Sequence, residues 1–213
     1  MAAWGIPELL KKWQPARFPT PRKETLFASS SLVLLSLFIV TRTQVGYWRN
    51  SIALYGHSLK VAGPSDVILC NRGVAYGKVG NHAQAIEDFD RAIEINPKDA
   101  NAYQNLGVTY AKLGNHRQAI EDFDRAIEIN PEYAEAYYNR GFIYGKLGDF
   151  RQAISDYDRA IEINPDYVKA YYNRGIVYGI LGNNRQAIED IKTAARFDIE
   201  DAKKILRSRG INW

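Results

Sequence analysis

The stretch ANAYQNLGVTYAKLGNHRQAIEDFDRAIEINP, residues 100–131, decides the fold because the chain repeats it with few changes. Its last four letters, EINP, occur three times and end at Pro97, Pro131 and Pro165, at a constant spacing of 34 residues. A fixed period of this size is typical of stacked helical hairpins. We therefore expect four consecutive units, which span residues 66–99, 100–133, 134–167 and 168–201.

Small and large side chains recur at matching places within the units. In the second unit, Gly107 and Ala119 are small enough to let two helices cross closely, while Tyr103, Tyr110 and Phe123 are large enough to fill the adjoining space. This alternation predicts two packed helices in each unit.

The ends of these helices are also marked. Gly114 suits a left-handed residue after the first helix, and Pro131 cannot continue the second helix. Each unit is therefore predicted to consist of a helix, a turn, a second helix and a linker.

Eight residues of the second unit lie at the signature spacing of the tetratricopeptide repeat (TPR), which this chain resembles: Tyr103, Leu106, Gly107, Tyr110, Ala119, Phe123, Ala126 and Pro131. The resemblance implies an all-α solenoid whose first helices line a concave groove that binds a protein or peptide. The fourth unit departs from the signature at Ile191 and Ile199, as a terminal unit should. Residues 202–213 are expected to form a polar capping helix, and residues 48–63 a degenerate half-repeat at the other end.

A run of 17 uncharged residues, 25–41, precedes the repeats. At 1.5 Å per residue it would extend about 25 Å as a helix, close to the hydrocarbon thickness of a bilayer. We expect a transmembrane helix. A buried core helix stays open as an alternative, whereas a signal peptide is disfavoured because the run starts late and the sequence TRTQ follows it.

The flanks of this run differ in charge. The basic segment, residues 1–24, holds five Lys and Arg, and residues 42–60 hold three. The positive-inside rule then predicts a single-pass protein with a cytoplasmic N-terminus and its TPR region on the non-cytoplasmic side, periplasmic or lumenal. Residues 1–75 also weakly resemble the C-terminal end of membrane O-mannosyltransferase-like TPR proteins. That resemblance implies an alternative role, an accessory TPR domain split from such a glycosyltransferase.

Charge and composition argue against several other functions. Residues 61–191 hold 14 Lys and Arg against 19 Asp and Glu, so a nucleic-acid footprint is not expected there. The only cysteine is Cys70, and the three histidines form no recognisable metal or catalytic set with it. We expect no enzyme activity, no metal, no cofactor and no small-molecule substrate.

The groove itself is predicted from side chains that recur on the first helices. An asparagine recurs in all four units, and its amide can both donate to and accept from a peptide backbone. Apolar or aromatic residues flank it. The predicted partner-binding residues are Asn71, Asn105, Asn139, Asn173, Gln104, Tyr138, Tyr172, Val108, Phe142, Ile176 and Lys169. Of the basic clamp that some family members use for a terminal carboxylate, Lys169 alone has a match.

Arginines replace Leu106 in the other three units, at Arg72, Arg140 and Arg174. An aspartate recurs sixteen residues after each of these four positions: Asp88, Asp122, Asp156 and Asp190. We interpret the set as a structural arginine–aspartate ladder. A ligand-binding role for the arginines is the alternative.

Overall fold

The computed structural model describes residues 50–213. The predicted transmembrane segment, residues 25–41, and the basic segment before it lie outside the described residues. None of the helices between residues 50 and 213 is long and apolar enough to cross a membrane.

The described part of the chain folds into ten α-helices and contains no strand. In chain order they are α1 (Ser51–Ala62), α2 (Asp66–Lys78), α3 (His82–Ile95), α4 (Ala100–Lys112), α5 (His116–Ile129), α6 (Ala134–Leu147), α7 (Phe150–Ile163), α8 (Val168–Ile180), α9 (Asn184–Arg196) and α10 (Glu200–Ser208).

Helices α2 to α9 form four hairpins, each with a first helix (α2, α4, α6 or α8) and a second helix (α3, α5, α7 or α9). The two helices of a hairpin pack against each other, and the second helix also packs against the first helix of the next unit. At the ends, α1 packs on α2 and α10 packs on α9. The predicted all-α solenoid is confirmed for these residues, since every contact of this kind joins neighbours in the stack.

The close crossing inside each hairpin depends on glycine. A Cβ atom on Gly107 would lie 2.8 Å from Cε1 of Phe123 and 3.1 Å from the carbonyl oxygen of Ala119. Phe123, Ala119 and Ala126 are buried around this contact. The predicted division into small crossing residues and large filling residues is therefore correct, because any side chain at Gly107 would force the aromatic ring to move.

The predicted helix ends also agree with the structure. Gly114 follows α4 in the left-handed region with φ of 81°. Helix α5 ends at Ile129, and the side chain of Asn130 then accepts a hydrogen bond from the backbone N–H of Glu132 at 3.1 Å. This short turn carries Pro131 and leads directly into the next unit.

The C-terminal helix covers the last apolar face of the stack. In α10, Ala202 and Leu206 are buried against Ile191 and Ala195 of α9. The helix begins two residues before the expected range of 202–213 and ends at Ser208.

Candidate partner-binding groove

The first helices form the inner side of the stack. Consecutive first helices contact one another, α2 with α4, α4 with α6 and α6 with α8. No two second helices within residues 50–213 make a comparable contact. Because the first helices lie closer together, the stack curves toward them, and their exposed faces line a concave groove.

A cavity of about 280 Å³ opens between α4 and α6 in this groove. It is lined by Val108, Ala111, Lys112, Phe123, Asn139, Phe142, Ile143 and Lys146. Three of the predicted groove residues, Val108, Asn139 and Phe142, therefore meet at one place. Phe142 is 39% exposed, so its ring offers apolar surface to a molecule in the cavity.

An aromatic row leads from this cavity along α6. Tyr138 stacks on Phe142 with ring centroids 6.5 Å apart, and it contacts Tyr167 at 5.0 Å. Asn173 donates a hydrogen bond from its amide to the Tyr138 hydroxyl at 3.0 Å. Burial raises the pKa of Tyr138 and of Tyr167, so both phenols stay neutral in the physiological range.

The four recurring asparagines are not equivalent. Asn105 donates its amide to the backbone oxygen of Asn101 at 2.9 Å, and Asn173 is bound to Tyr138. Asn71 and Asn139 have no side-chain hydrogen bond among the described residues, and Asn139 is half-buried at the α4–α6 cavity. Two of the four amides therefore serve the scaffold, and Asn139 is the one that faces the cavity without a partner.

The remaining predicted groove residues also differ in how accessible they are. Lys169 is exposed, whereas Tyr172 and Ile176 are half-buried against the cluster that α10 completes. Gln104 is only 2% exposed, and neither its amide oxygen nor its amide nitrogen has a partner in residues 50–213. Burial thus removes Gln104 from the accessible wall of the groove, although the sequence places it there. Its side chain lies one helical turn before Val108.

Two lysines at the cavity were missed in the sequence. Lys112 and Lys146 line its rim, and the ammonium of Lys146 lies 4.9 Å from the centre of the Phe142 ring. Lys78 holds the same place in the first unit. Their spacing of 34 residues was the available signal, but only the packing of α4 against α6 shows that two of them border an apolar cavity.

The arginine–aspartate ladder is confirmed in three units. Arg140 donates from Nε and Nη2 to the two carboxylate oxygens of Asp156, at 2.9 and 2.6 Å. It also donates from Nη1 to Asp124 of the preceding unit at 2.5 Å, a contact that the repeat pattern does not predict. Arg174 repeats both contacts, with Asp190 and with Asp158, and Arg72 binds Asp88. The arginines are therefore scaffold residues.

The second unit lacks this arrangement. Leu106 is buried where the other units have arginine, and Oδ2 of Asp122 is buried without a hydrogen-bond partner within the described chain. Burial, reinforced by the charges of Asp90 and Glu121, raises the pKa of Asp122 to about 7. Burial also raises the pKa of Asp90. We call this place, defined by Asp90, Leu106 and Asp122, the gap in the ladder.

Two further kinds of site can be checked in residues 50–213, a metal centre and a reactive thiol. No cluster of His, Cys, Asp or Glu in residues 50–213 has the arrangement needed to hold a metal ion. Burial, followed by the charge of Asp99, raises the pKa of the Cys70 thiol to about 12. A thiol with such a pKa is a weak nucleophile at neutral pH.

Comparison with known proteins agrees with the repeat architecture. Residues 67–99, 100–133 and 134–167 each match a family model of the tetratricopeptide repeat, and a second model of the same repeat matches residues 156–189. No curated protein sequence matches the chain.

Several solved structures are similar. The crystal structure of MamA is 29% identical in sequence and aligns with a TM-score of 0.65 over 76% of this chain and 95% of that chain. YrrB, named as a TPR protein with an unusual peptide-binding site, is 22% identical, with a TM-score of 0.63 over 78% of this chain and 86% of its own. At that identity the likeness concerns the fold alone.

A third similar structure contains a peptide. The first TPR of Spaghetti (RPAP3), bound to the HSP90 peptide SRMEEVD, is 25% identical and aligns over 55% of this chain and 93% of that chain, with a TM-score of 0.54. The family matches together extend over residues 67–189, which is more than half of the sequence. This chain therefore belongs to the tetratricopeptide-repeat family.

Proposed function

We propose that this protein is an interaction scaffold that binds a peptide or an extended protein segment in its concave groove. The observation that carries the proposal is the cavity between α4 and α6, where Val108, Asn139 and Phe142 meet. The structure of the first TPR of RPAP3 with an HSP90 peptide supports it, since a related stack of hairpins binds a peptide. The scaffold contributes no chemical step of its own.

The groove offers two kinds of contact to such a segment. Val108 and Phe142 present apolar surface, and the amide of Asn139 can donate to a peptide carbonyl and accept from a peptide N–H. Each hydrogen bond of this kind contributes about 0.5 to 1.5 kcal/mol net. The apolar contacts supply affinity, and the amide fixes the direction and register of the bound backbone.

Selection from a peptide library tests this function. Random peptides displayed on phage, selected against the full-length chain in detergent, should yield specific binders. The variant Asn139→Ala should then bind a selected peptide roughly fivefold to a hundredfold more weakly, because the hydrogen bond that its amide donates and the one that it accepts are both lost. The matched control is Asn105→Ala, whose amide is already bound to Asn101. Failure to select any peptide, or unchanged affinity in the Asn139→Ala variant, would contradict the proposal.

We further propose that residues 25–41 tether this scaffold to a membrane, with the repeats on the non-cytoplasmic side. The uncharged run and the excess of basic residues before it support this placement. Alkaline carbonate should then leave the protein in the membrane fraction, and a reporter fused after Trp213 should be active only if it functions outside the cytoplasm. Release of the protein into the supernatant by carbonate would contradict the membrane tether.

The alternative role, an accessory domain of a separate membrane O-mannosyltransferase-like enzyme, rests on the weak resemblance of residues 1–75. In this alternative the protein has the same groove and the same tether, but its partner is the membrane enzyme. Purification of the tagged protein from detergent-solubilised membranes separates the two roles, because the alternative requires a multi-span glycosyltransferase to co-purify in near-stoichiometric amount.

A further inference from the structure

We propose that the segment bound in the groove is acidic and carries one apolar anchor: the anchor enters the α4–α6 cavity, and neighbouring carboxylates pair with Lys112 and Lys146. This inference rests on the proposed function and names the chemistry of the partner.

The cavity has the size and lining of a site for one side chain. Its volume of about 280 Å³ is just below the range of about 300 to 1,000 Å³ that pockets for whole ligands occupy. Val108, Ala111, Phe142 and Ile143 supply an apolar floor and walls. A leucine, isoleucine, methionine or phenylalanine side chain would bury the exposed surface of Phe142 and gain the free energy of apolar burial.

The rim of the cavity is positively charged. Lys112 and Lys146 are both exposed, and within the described chain neither has a carboxylate at ion-pair distance. Lys146 lies over the face of Phe142, so its charge is held beside the place where the anchor would enter. Carboxylates on the bound segment, one or two residues from the anchor, would meet these two ammonium groups.

Acidic residues are unevenly distributed between the two helices of the second unit. Helix α4 carries no acidic residue, whereas its partner α5 carries four, at Glu121, Asp122, Asp124 and Glu128. In α6, Glu135 lies in the first turn and Lys146 in the last, eleven residues or about 16 Å apart along the helix. The lysines therefore form one edge of the groove, and an acidic segment would run along that edge rather than along the helix N-termini.

A lysine in the last helical turn also compensates the helix dipole, which would explain its recurrence without any partner. Lys78 separates the two explanations. It occupies the same repeat position at the end of α2, but it does not line the α4–α6 cavity. A binding role predicts different behaviour for Lys78 and for the Lys112–Lys146 pair, whereas dipole compensation predicts the same behaviour.

The library selection described above gives the first test, since the displayed peptides are joined to the coat protein and have no free terminal carboxylate. Binders should be enriched in Asp or Glu within two residues of Leu, Ile, Met or Phe. Selection of neutral or basic binders would overturn this inference and leave the scaffold function standing. Selection of none would overturn the scaffold function itself.

Variants then locate the contact with one selected peptide. Lys112→Glu with Lys146→Glu should weaken its binding at least tenfold, because like charges would face each other across the site. Lys78→Glu should change the affinity by less than about twofold, as expected for an exposed charge outside the contact. Circular dichroism and thermal melting verify that all three proteins are folded. Equal losses in the two variants, or no loss in either, would refute the assignment to the α4–α6 cavity.

Filling the cavity tests the anchor separately. Val108→Phe should lower the affinity for the selected peptide, while the same peptide with its apolar residue replaced by serine should bind both proteins weakly. If the peptide with serine binds the unmodified protein as tightly as the parent peptide, the apolar anchor does not exist and the proposal fails.

Discussion

Equivalent aspartates have different partners in the third and second units. In the third unit, one guanidinium from Arg140 binds Asp156 of its own unit and Asp124 of the unit before it. In the second unit, Leu106 leaves Asp122 with a buried oxygen that has no partner in the described residues, and Asp90 nearby has no arginine. One residue in 34 thus decides whether an arginine neutralises an aspartate of its own unit and one of the unit before, or whether both carboxylates lack such a partner.

This difference teaches how the ladder contributes to the stack. A buried ion pair gives little net stability compared with a well-packed apolar pair, but removal of one partner leaves an expensive charge behind. Because Arg140 and Arg174 each join two units, the loss of either arginine affects the interface between units as well as the hairpin. The interface between the first and second units, at the gap, is therefore expected to be weaker than the interface between the second and third.

The substitution Arg140→Leu should make the third unit like the second and produce the largest effect. Asp156, which is 5% exposed, would lose its only strong partner. We expect the free energy of unfolding, measured with urea at pH 7.5, to fall by about 3 kcal/mol. Affinity for a selected peptide, measured per folded molecule, should not change, because Arg140 lies outside the groove cavity.

The control for this experiment is Arg125→Leu. Arg125 pairs with Glu128 on the exposed face of α5, where solvent screening leaves an ion pair with little effect on stability. If both variants lost the same stability, burial of the ladder would not matter and the comparison between the units would fail.

The reverse substitution, Leu106→Arg, should make the second unit like the third. An arginine there can reach Asp122 and Asp90, as Arg140 reaches Asp156 and Asp124. At pH 8, where Asp122 is ionised, we expect a net gain of roughly 1 to 2 kcal/mol, because hydrogen bonds from the guanidinium to two charged carboxylates together exceed the cost of the lost leucine packing. The gain should disappear when Asp122→Asn is added. A destabilised Leu106→Arg protein at pH 8 would show that apolar packing dominates at this position.

The pH dependence of stability should show the smallest of the three effects. The pKa of Asp122 is about 7 in the folded protein and near 3.8 in the unfolded chain, so the folded state holds a proton that the unfolded state releases between these values. Stability therefore falls as pH rises from about 4 to about 7 and changes little above that. The Asp122→Asn variant should lack this loss.

We expect the two proteins to differ in this slope by on the order of 1 kcal/mol, after allowance for solvent access to a partly buried carboxylate. The measurement is urea unfolding of both proteins at pH 5, 6, 7 and 8, with the difference between them plotted against pH. Identical slopes would mean that Asp122 titrates normally and that the gap is well hydrated.

Much of the fold follows from the sequence because the residues that recur in each unit predict the packing and the helix ends within that unit. Gly107 and Phe123 predict a close crossing, Gly114 and Pro131 predict the helix ends, and sixteen-residue spacing predicts the pairing of Arg140 with Asp156. These relations are local to one unit, so one copy of the repeat is enough to infer them.

Relations between units were harder to predict. The bond from Arg140 to Asp124 and the bond from Asn173 to Tyr138 each join different units, and neither recurs in all four. The burial of Gln104 and the position of Lys112 and Lys146 at one cavity also depend on how neighbouring hairpins are stacked. A one-dimensional pattern fixes which residues recur, but the contacts that give the groove its chemistry are set by packing across the repeat boundary.

The two-sided binding of Arg140 and Arg174 has a consequence for how such a gene can change length. A duplicated copy of residues 134–167, inserted directly after residue 167, would bring its own arginine for the Asp158 that precedes it and its own second aspartate for the Arg174 that follows. Every guanidinium and carboxylate of the ladder at the new junctions would have a partner. The longer protein would therefore fold without further substitutions at these positions. A duplicated copy of residues 100–133 would instead add another pair of unmatched acids, and the arrays that survive unequal recombination should therefore be enriched in arginine-bearing units.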